Sequence, residues 1–331
     1  MLADTTTNQQ EYQALREGAA LQRRPTGGLL SLADADRVDF LQRMTTNDVK
    51  ALKGTGDAGS SCVTVLTSPT AKIIQVFTVL ARADDMLLLP ALGATEALAR
   101  YLRGQIFFMD KVKVSDLSPQ FARLRLVGPH ALTAVAATGL DMQGAGEGEW
   151  RGRDDLLVVA QRQYDLPGFE IIVAQARQEE IVTRLAAVGA VVLEGDDAYQ
   201  ARRIELGRPV PGAELAGEYS PLEAGLGWAC AENKGCYTGQ EIIARQITYD
   251  KVTRALVGLV GDAPLSPGAT LNAGGREVGT VTSAAFSPLL GSPVALAIVK
   301  RPHDAPGSEL QSEGKSVRVT AFPFAAAGSA P

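Results

Sequence analysis

The chain has 331 residues, of which 46% are hydrophobic and 21% charged, and its formal net charge is −5 with a sequence pI of about 5.3. This length and composition predict a globular protein of about two to three domains with a large core. The acidic balance excludes a surface that attracts nucleic acid or acidic membranes as a whole, unless a local basic patch is present.

The first segment, Met1 to Gln22, is polar and contains Asp4, Glu11 and Glu17. It has neither the apolar core of a secretory signal nor the acid-poor, Arg-rich character of an organellar transit peptide. No apolar run approaches the roughly 20 residues that a membrane-spanning helix needs. We therefore expect a short tail and helix at the start of a cytoplasmic protein that does not associate with membranes.

The next predicted elements are a short strand at Gly28–Leu32 and a helix that opens near Asp34 or Asp36. Three strands, a helix and a fourth strand follow in the order Cys62–Leu66, Lys72–Leu80, Met86–Leu89, Thr95–Arg103 and Lys111–Ser115. This order predicts a small α+β unit of the ferredoxin-like type.

The middle of the chain continues the alternation of strands and helices without a phosphate-binding loop, which favours a mixed sheet. Its predicted strands are Phe121–Val127, Asp155–Ala160 and Phe169–Ala174, and its helices are Pro129–Ala137, Arg177–Val188 and Asp197–Leu206. From Arg254 onward short strands dominate, and Gly274-Gly275 forms a two-residue hairpin turn between Ala269–Ala273 and Arg276–Ala284. The C-terminal part is therefore predicted to be a small β-barrel.

Only three cysteines and two histidines occur, and no Cys-x-x-Cys pair is present. A disulfide framework or a zinc site is not expected from this set, and we assign no metal ligands. Cys62 lies in an apolar, β-rich stretch and is expected to be a buried strand residue. Cys230 is expected to belong to the core, although a role as a resolving thiol for Cys236 stays open.

The stretch Lys234-Gly235-Cys236-Tyr237-Thr238-Gly239-Gln240-Glu241 places a thiol, an ammonium and an amide on a loop with two glycines. Thr238 and Glu241 have the spacing of a capping box, which predicts a helix starting just after Cys236. A helix N-terminus favours negative charge, and with Lys234 nearby we expect the pKa of the Cys236 thiol to fall below its free value of about 8.5. A buried, unreactive cysteine is the alternative.

This stretch resembles the signature of the YgfZ-type folate-binding proteins, which are relatives of the glycine-cleavage T-protein (the aminomethyltransferase-like GcvT family). Other segments resemble the family as well, and together they span roughly residues 28 to 325. They are Asp39-Phe40-Leu41-Gln42, Thr45-Thr46-Asn47-Asp48-Val49, Arg203-Ile204-Glu205-Leu206-Gly207-Arg208-Pro209, Glu218 to Leu226, Gly279 to Ala284 and Ala295 to Val299.

The resemblance implies an α+β fold in which three domains form a ring around a central cavity for tetrahydrofolate. The first domain would be discontinuous and would hold the pterin, comprising residues 1–50 and 121–245. The inserted ferredoxin-like domain would comprise residues 51–120, and the C-terminal β-barrel residues 246–331.

The resemblance also implies roles for single residues. Glu205 would hold the planar pterin through its carboxylate, and the anionic glutamate tail of the folate would contact Lys234, Arg245 or Arg254. Tyr237 would stack or donate a hydrogen bond, and Gln240 would offer a donor and an acceptor. Read alone, Glu205 resembles an exposed helix charge, and the two arginines resemble ordinary surface cations.

One departure from the aminomethyltransferases bears on activity. Those enzymes use an aspartate at the start of the central strand of the second domain, whereas this chain reads Ala71-Lys72-Ile73-Ile74-Gln75-Val76-Phe77. Gln75 cannot stabilise a cationic centre or accept a proton as an ionised aspartate does. We therefore do not expect glycine-cleavage activity.

The leading hypothesis is a folate-dependent accessory factor for the assembly or repair of iron–sulfur enzymes, including tRNA-modifying ones, without direct nucleic-acid binding. Cys236, assisted by Lys234, would act as a nucleophile, a redox group or a transient cluster ligand. The last role requires further ligands from a partner, since such clusters are typically held by four cysteines. The alternatives are a tetrahydrofolate-dependent one-carbon transferase, such as an aminomethyltransferase, and a non-catalytic folate sensor.

Overall fold

The computed structural model describes residues 5–324. The helices are α1 (Thr5–Glu17), α2 (Arg37–Met44), α3 (Thr95–Gly104), α4 (Ala131–Val135), α5 (Gln178–Ala187), α6 (Asp197–Glu205) and α7 (Gln240–Thr248). The first eleven strands are β1 (Ala19–Arg23), β2 (Leu30–Ala33), β3 (Ala58–Thr67), β4 (Ile73–Ala81), β5 (Asp85–Pro90), β6 (Lys113–Asp116), β7 (Phe121–Val127), β8 (Glu149–Arg153), β9 (Leu156–Gln161), β10 (Gly168–Ala174) and β11 (Ala190–Val192). The last six are β12 (Arg254–Gly261), β13 (Thr270–Ala273), β14 (Arg276–Ser287), β15 (Ser292–Lys300), β16 (Glu309–Ser312) and β17 (Lys315–Thr320).

The described chain divides into two compact units. The sheet unit contains residues 13–194 and 228–240, and the barrel unit contains residues 5–12, 195–227 and 241–324. Within residues 5–324 no helix combines the length and the apolar character needed to span a membrane.

The sheet unit is built on eleven strands in the order β11-β1-β7-β10-β9-β8-β3-β4-β5-β2-β6. Only β1 and β11 run parallel among the described pairs, so the predicted mixed sheet is confirmed. The half formed by β1, β7, β9 and β10 buries its apolar side chains against α4 and α5, as Leu124, Ile171 and Leu185 show. Strand β7 coincides with the predicted Phe121–Val127.

The other half of this sheet draws on the chain before residue 50. Strand β2 pairs with both β5 and β6, with Leu30 opposite Leu88 and Asp116. Phe40 of α2 lies in the same apolar core as Phe77 of β4. Residues 30–49 therefore pack with residues 58–116, and the expected domain boundary at residue 50 cuts through this core.

The barrel unit contains a closed six-stranded barrel in the order β12-β15-β14-β13-β16-β17, so the predicted C-terminal β-barrel is confirmed. Gly274 and Gly275 connect β13 to β14 with φ values of +55° and +74°, as a two-residue hairpin requires. Helix α6 packs through Ile204 against Leu296 of β15.

Three strands of the sheet unit were not predicted, namely β1, β8 and β11. The residues of β1, Ala19–Arg23, were interpreted as part of the N-terminal tail and helix, whereas they pair with β7 and β11. The predicted helix at Pro129–Ala137 is shorter, because α4 begins at Ala131 and continues as a 3-10 turn that ends before Gly139.

Candidate functional site

Hydrogen bonds within the sheet unit join two of the segments that carry the resemblance, the one at Gln42–Val49 and the Lys234–Glu241 loop. The Thr46 side chain donates a hydrogen bond to the carbonyl of Ala229 at 2.7 Å, and the Ala231 amide donates to the carbonyl of Thr46 at 3.0 Å. Gln42 donates from Nε2 to the carbonyl of Lys234 at 2.8 Å. The Lys234–Glu241 segment therefore starts from a backbone that is fixed to the Gln42–Thr46 region.

Lys234 is buried and fixes the loop further with its side chain. Its Nζ donates to the carbonyl of Asn47 at 2.7 Å and to the carbonyl of Thr45, and it lies 5.1 Å from the centre of the Tyr237 ring. Burial lowers the pKa of the Lys234 ammonium to about 8, although the nearby Asp48 opposes the shift. This ammonium is thus a hydrogen-bond donor within the protein, and it faces the loop at Thr45–Asp48.

Cys236 is exposed and lies four residues before the first residue of α7. The capping box predicted from Thr238 and Glu241 is not among the described hydrogen bonds. Instead, the side chain of Gln240 accepts a hydrogen bond from the Tyr237 amide at 3.3 Å, and the carbonyl of Thr238 accepts one from Thr67 at 2.6 Å. A helix thus follows Cys236 as predicted, beginning at Gln240, and its dipole acts mainly within its own first turn.

Two glycines determine the backbone conformation of the Lys234–Glu241 loop. Gly235 has φ +90° and Gly239 φ +83°, a region that side chains disfavour. A Cβ on Gly239 would also lie 2.7 Å from the carbonyl oxygen of Ser68. The turn at Gly239 is therefore possible only without a side chain, and it leaves Cys236 on a loop held at both ends.

The other two thiols differ from Cys236 in their surroundings. Burial raises the pKa of the Cys62 thiol to about 12 and that of the Cys230 thiol to about 11, with Lys234 acting in the opposite direction on both. Tyr237 is also buried, and its pKa is raised by burial and by the nearby Cys230. Cys230 and Tyr237 thus belong to the interior beside Lys234, which confirms the prediction of a core position for Cys230.

A small hollow of about 110 Å³ lies next to this cluster within the sheet unit. Its polar wall includes Asn47, Thr78 and Gln161, and its other wall includes Cys62 and the half-exposed ring of Trp228. Amide and hydroxyl groups beside an aromatic ring suit a flat heterocycle with donors and acceptors on its edge. The hollow holds only part of such a ligand, since pockets for drug-sized molecules measure about 300–1,000 Å³.

Glu147 also lines the hollow, and its two oxygens accept hydrogen bonds from the amides of Arg162 and Gln163 at 2.7 and 3.3 Å. Gln75, in the segment where an aspartate is found in the aminomethyltransferases, is the third residue of β4. Glu147 supplies a carboxylate to the hollow, but both of its oxygens already accept hydrogen bonds from backbone amides.

Glu205 lies in the barrel unit at the end of α6, where it is fully buried. The Tyr12 hydroxyl lies 2.7 and 2.8 Å from its two oxygens, Ser287 donates to Oε1 at 2.6 Å, and Arg202 donates to Oε2 at 3.1 Å. The carboxylate is therefore not the exposed helix charge that the residue read alone suggested. It fits a pterin only if one of these donors moves away.

The two arginines of the barrel unit are placed differently from each other. Arg254 donates to both oxygens of Glu223 at 2.8 and 3.3 Å, and its guanidinium lies 5.3 Å from the centre of the Tyr219 ring. Arg245 is 68% exposed, and its contact with Glu241 one turn earlier is 3.6 Å. Arg245 is therefore the more available cation of the two.

Sequence reasoning did not single out Thr78, Gln161 or Trp228. It predicted Cys62 to be a buried strand residue, whereas Cys62 lies in β3 but is only partly buried. Thr78 lies within the apolar run of β4, and Gln161 is the last residue of β9 after five apolar residues, so neither position stands out in the sequence. Asn47 was noted only as part of a family motif. These residues are distinguished only because they line the same hollow. They come together through the pairing of strands that are distant in the sequence.

The fold and these motifs define a class of two-part proteins, in which a mixed α+β sheet unit precedes a C-terminal barrel. The model of the GCVT N-terminal domain matches residues 4–234, and that of the glycine cleavage T-protein C-terminal barrel domain matches residues 254–325. The chain belongs to the GcvT family. Proteins of this family, including its aminomethyltransferases, are tetrahydrofolate-binding proteins.

The similarity to individual relatives is moderate, at 23–33% sequence identity. The chain is 33% identical over 262 residues to the Arabidopsis thaliana protein named "Putative transferase At1g60990, chloroplastic", covering 77% of this chain and 59% of that relative's length. It is 28% identical over 330 residues to the aminomethyltransferase of Moorella thermoacetica, covering 95% and 88% of the two chains. The crystal structure of aminomethyltransferase T from Bartonella henselae has the same fold, with a TM-score of 0.85 at 23% identity, covering 96% and 89%.

Proposed function

We propose that the protein is a tetrahydrofolate-binding accessory factor of the YgfZ type, which supports the assembly or repair of iron–sulfur enzymes, including tRNA-modifying ones. The observation that carries this proposal is the contrast among the three thiols. Cys236 is exposed on a loop anchored by Lys234 and Thr238, whereas burial keeps Cys62 and Cys230 protonated. An exposed thiol on a fixed loop can react with a partner protein or with a bound folate.

In this proposal Lys234 is a positioning residue, because its ammonium is used by the Thr45 and Asn47 carbonyls. Tetrahydrofolate supplies a carrier for a one-carbon unit when it is bound.

The other residues that the sequence suggested as folate contacts differ in how strongly they are already bound within the protein. Arg245 is exposed and is proposed to contact the anionic glutamate tail, while Arg254 is committed to Glu223. Glu205 would take the pterin by exchanging the Tyr12 hydroxyl for a donor of the ligand, and Tyr237 and Gln240 would shape the loop. A cytoplasmic location belongs to the same proposal.

The second candidate is a one-carbon transferase, and the names of the Arabidopsis and Moorella relatives favour it. Two features of this chain argue against aminomethyl transfer. Gln75 provides no carboxylate in the relevant segment, and Glu147 in the hollow accepts two backbone hydrogen bonds. A transferase would therefore need an acid outside this hollow.

The experiment combines calorimetric titration with tetrahydrofolate and a cellular test. We expect binding by the wild type, weaker binding by Arg245→Ala, and tighter binding by Tyr12→Phe, because this variant frees Glu205 for a donor of the ligand. In cells that lack the protein, we expect the wild type and Cys62→Ser to restore an iron–sulfur tRNA-modifying enzyme, and Cys236→Ser to fail.

Three outcomes contradict the proposal. Absence of tetrahydrofolate binding by the wild type removes the cofactor. Full restoration by Cys236→Ser removes the thiol. Formation of methylene-tetrahydrofolate from amine substrates at rates unaffected by Cys236→Ser replaces the accessory role with the transferase.

A further inference from the structure

The turn between α3 and β6 displays three consecutive large apolar side chains to solvent. Phe107, Phe108 and Met109 are 68%, 99% and 74% exposed. The other strongly exposed large apolar residues in residues 5–324 are separated from one another along the chain. Clustered apolar side chains on a soluble surface mark interaction sites, whereas scattered ones need no explanation. We refer to Phe107–Met109 as the apolar tip.

The turn that carries the apolar tip is held in place by hydrogen bonds. The Phe107 amide donates to a carboxylate oxygen of Asp110 at 2.9 Å, and the Asp110 amide donates back to the carbonyl of Phe107 at 2.9 Å. Asp110 also pairs with Arg43 of α2. The fold thus fixes the apolar tip in its exposed position.

The residues on either side anchor this turn to the core. Ile106 and Val112 pack against the apolar core of the sheet unit. Lys111 is tied through its backbone to Asp36, with the Lys111 amide donating to the Asp36 carboxylate at 2.8 Å. Only the tip itself projects, so it forms a convex point rather than a groove.

Basic residues flank the apolar tip along the chain, although the whole chain is acidic. Residues 100–113 contain Arg100, Arg103, Lys111 and Lys113 and one acid, Asp110, which pairs with Arg43. Arg100 pairs with Glu96, whereas no carboxylate lies within ion-pair distance of the other three cations among the described residues. With the neighbouring acids Glu96 and Asp36, five cations are set against three carboxylates. This is the local basic patch that the overall charge of −5 does not reveal.

We propose that the apolar tip docks on an anionic lipid surface. A projecting group of apolar side chains can be buried by insertion between lipid molecules at the boundary between headgroups and acyl chains. The flanking cations would be attracted by anionic headgroups. Lys111 and Lys113 lie within four residues of the tip and would meet the headgroups while the aromatic side chains insert. The attachment is peripheral and reversible, because it involves three side chains and a few charges.

The test uses the full-length protein and sedimentation with lipid vesicles. We expect binding to phosphatidylcholine vesicles that contain about one-third phosphatidylserine at about 0.1 M salt, and little binding to phosphatidylcholine alone. Binding should be lost in the variant Phe107→Ser/Phe108→Ser/Met109→Ser. Leu92→Ser is the matched control, because Leu92 is an isolated apolar side chain that is 46% exposed.

Two further variants separate insertion from charge attraction. Phe108→Trp should show a blue shift of its fluorescence on addition of the phosphatidylserine vesicles. Lys111→Glu/Lys113→Glu should weaken binding at least about 30-fold, because each lysine near the surface contributes about 1 kcal/mol. Thermal unfolding of each variant should match the wild type, since the replaced side chains are exposed.

The proposal is overturned if the wild type does not sediment with the phosphatidylserine vesicles, or if the triple serine variant sediments as well as Leu92→Ser. It is also overturned if Phe108→Trp binds without a blue shift, because the tip would then remain in water. Loss of self-association in the triple serine variant, without any vesicle binding by the wild type, would assign the tip to a contact between copies of the chain.

Discussion

The hydrogen bonds around Glu205 predict a measurable loss of stability in Tyr12→Phe. This change removes only the hydroxyl that lies 2.7 and 2.8 Å from the two carboxylate oxygens, and it leaves the ring in its buried site. A hydrogen bond to a charged group contributes roughly 1.5–3 kcal/mol. Ser287 and Arg202 still donate to the carboxylate, so we expect a decrease of about 2 kcal/mol in the free energy of unfolding.

The assay is thermal unfolding followed by circular dichroism, with urea unfolding for the free energy. A loss of about 2 kcal/mol corresponds to a Tm lower by about 3 °C for a chain of 331 residues, whose entropy of unfolding is about 0.7 kcal/mol/K. Tyr249→Phe is the matched control, because Tyr249 is 65% exposed and should lose its hydroxyl without effect. A second test is the double variant Tyr12→Phe/Glu205→Gln, whose two effects should be non-additive because the residues are in direct contact.

Two results would refute this reasoning. An unchanged Tm for Tyr12→Phe would show that the hydroxyl does not stabilise the buried carboxylate. Strictly additive effects in the double variant would show that Tyr12 and Glu205 act independently, despite the contact between them.

The other predictions concern the Lys234–Glu241 loop. Gly239→Ala should lower the free energy of unfolding more than Gly235→Ala. Both glycines have positive φ, but only at Gly239 would the added Cβ lie 2.7 Å from a backbone oxygen. Equal losses in urea unfolding would contradict this. Iodoacetamide at pH 8 should modify Cys236 first in the folded protein, because thiols with pKa values of about 11 and 12 are about 0.1% ionised or less; mass spectrometry that finds Cys62 or Cys230 modified first would refute it. The pKa of Lys234 falls from 10.5 to about 8 on folding, so unfolding takes up a proton between these values and stability should rise with pH in that window. The wild type should therefore gain stability relative to Lys234→Met between pH 7 and pH 9.5, and a constant difference would show that the ammonium has an ordinary pKa.

Local patterns in the sequence predicted much of the fold. Phe121–Val127 was predicted to the residue because its apolar side chains alternate regularly, and the Gly274-Gly275 turn was visible because both positions require positive φ. Strand β11 was missed because three residues carry no period. Strand β1 was missed because Ala19–Arg23 becomes a strand through its pairing with β7 and β11.

The candidate site was less accessible to prediction, because its contacts join distant segments. The sequence places Lys234 two residues from Cys236, and proximity along the chain suggested that the ammonium would act on that thiol. The structure directs it to Thr45 and Asn47 instead, since a buried ammonium needs acceptors and those carbonyls supply them. The hollow beside Trp228 likewise depends on which strands pair.

The order in which the chain builds the sheet unit has a consequence for its synthesis. Residues 13–194 leave the ribosome before the segment 195–227, which belongs to the barrel unit, and residues 228–240 follow only afterwards. The Lys234 bonds close loops of 189 and 187 residues, which are slow to form. Until they form, the Thr45 and Asn47 carbonyls remain hydrated and the pocket wall at Trp228 is missing. A nascent or truncated chain can thus acquire nearly all of its large sheet while the hollow beside Trp228 is still incomplete.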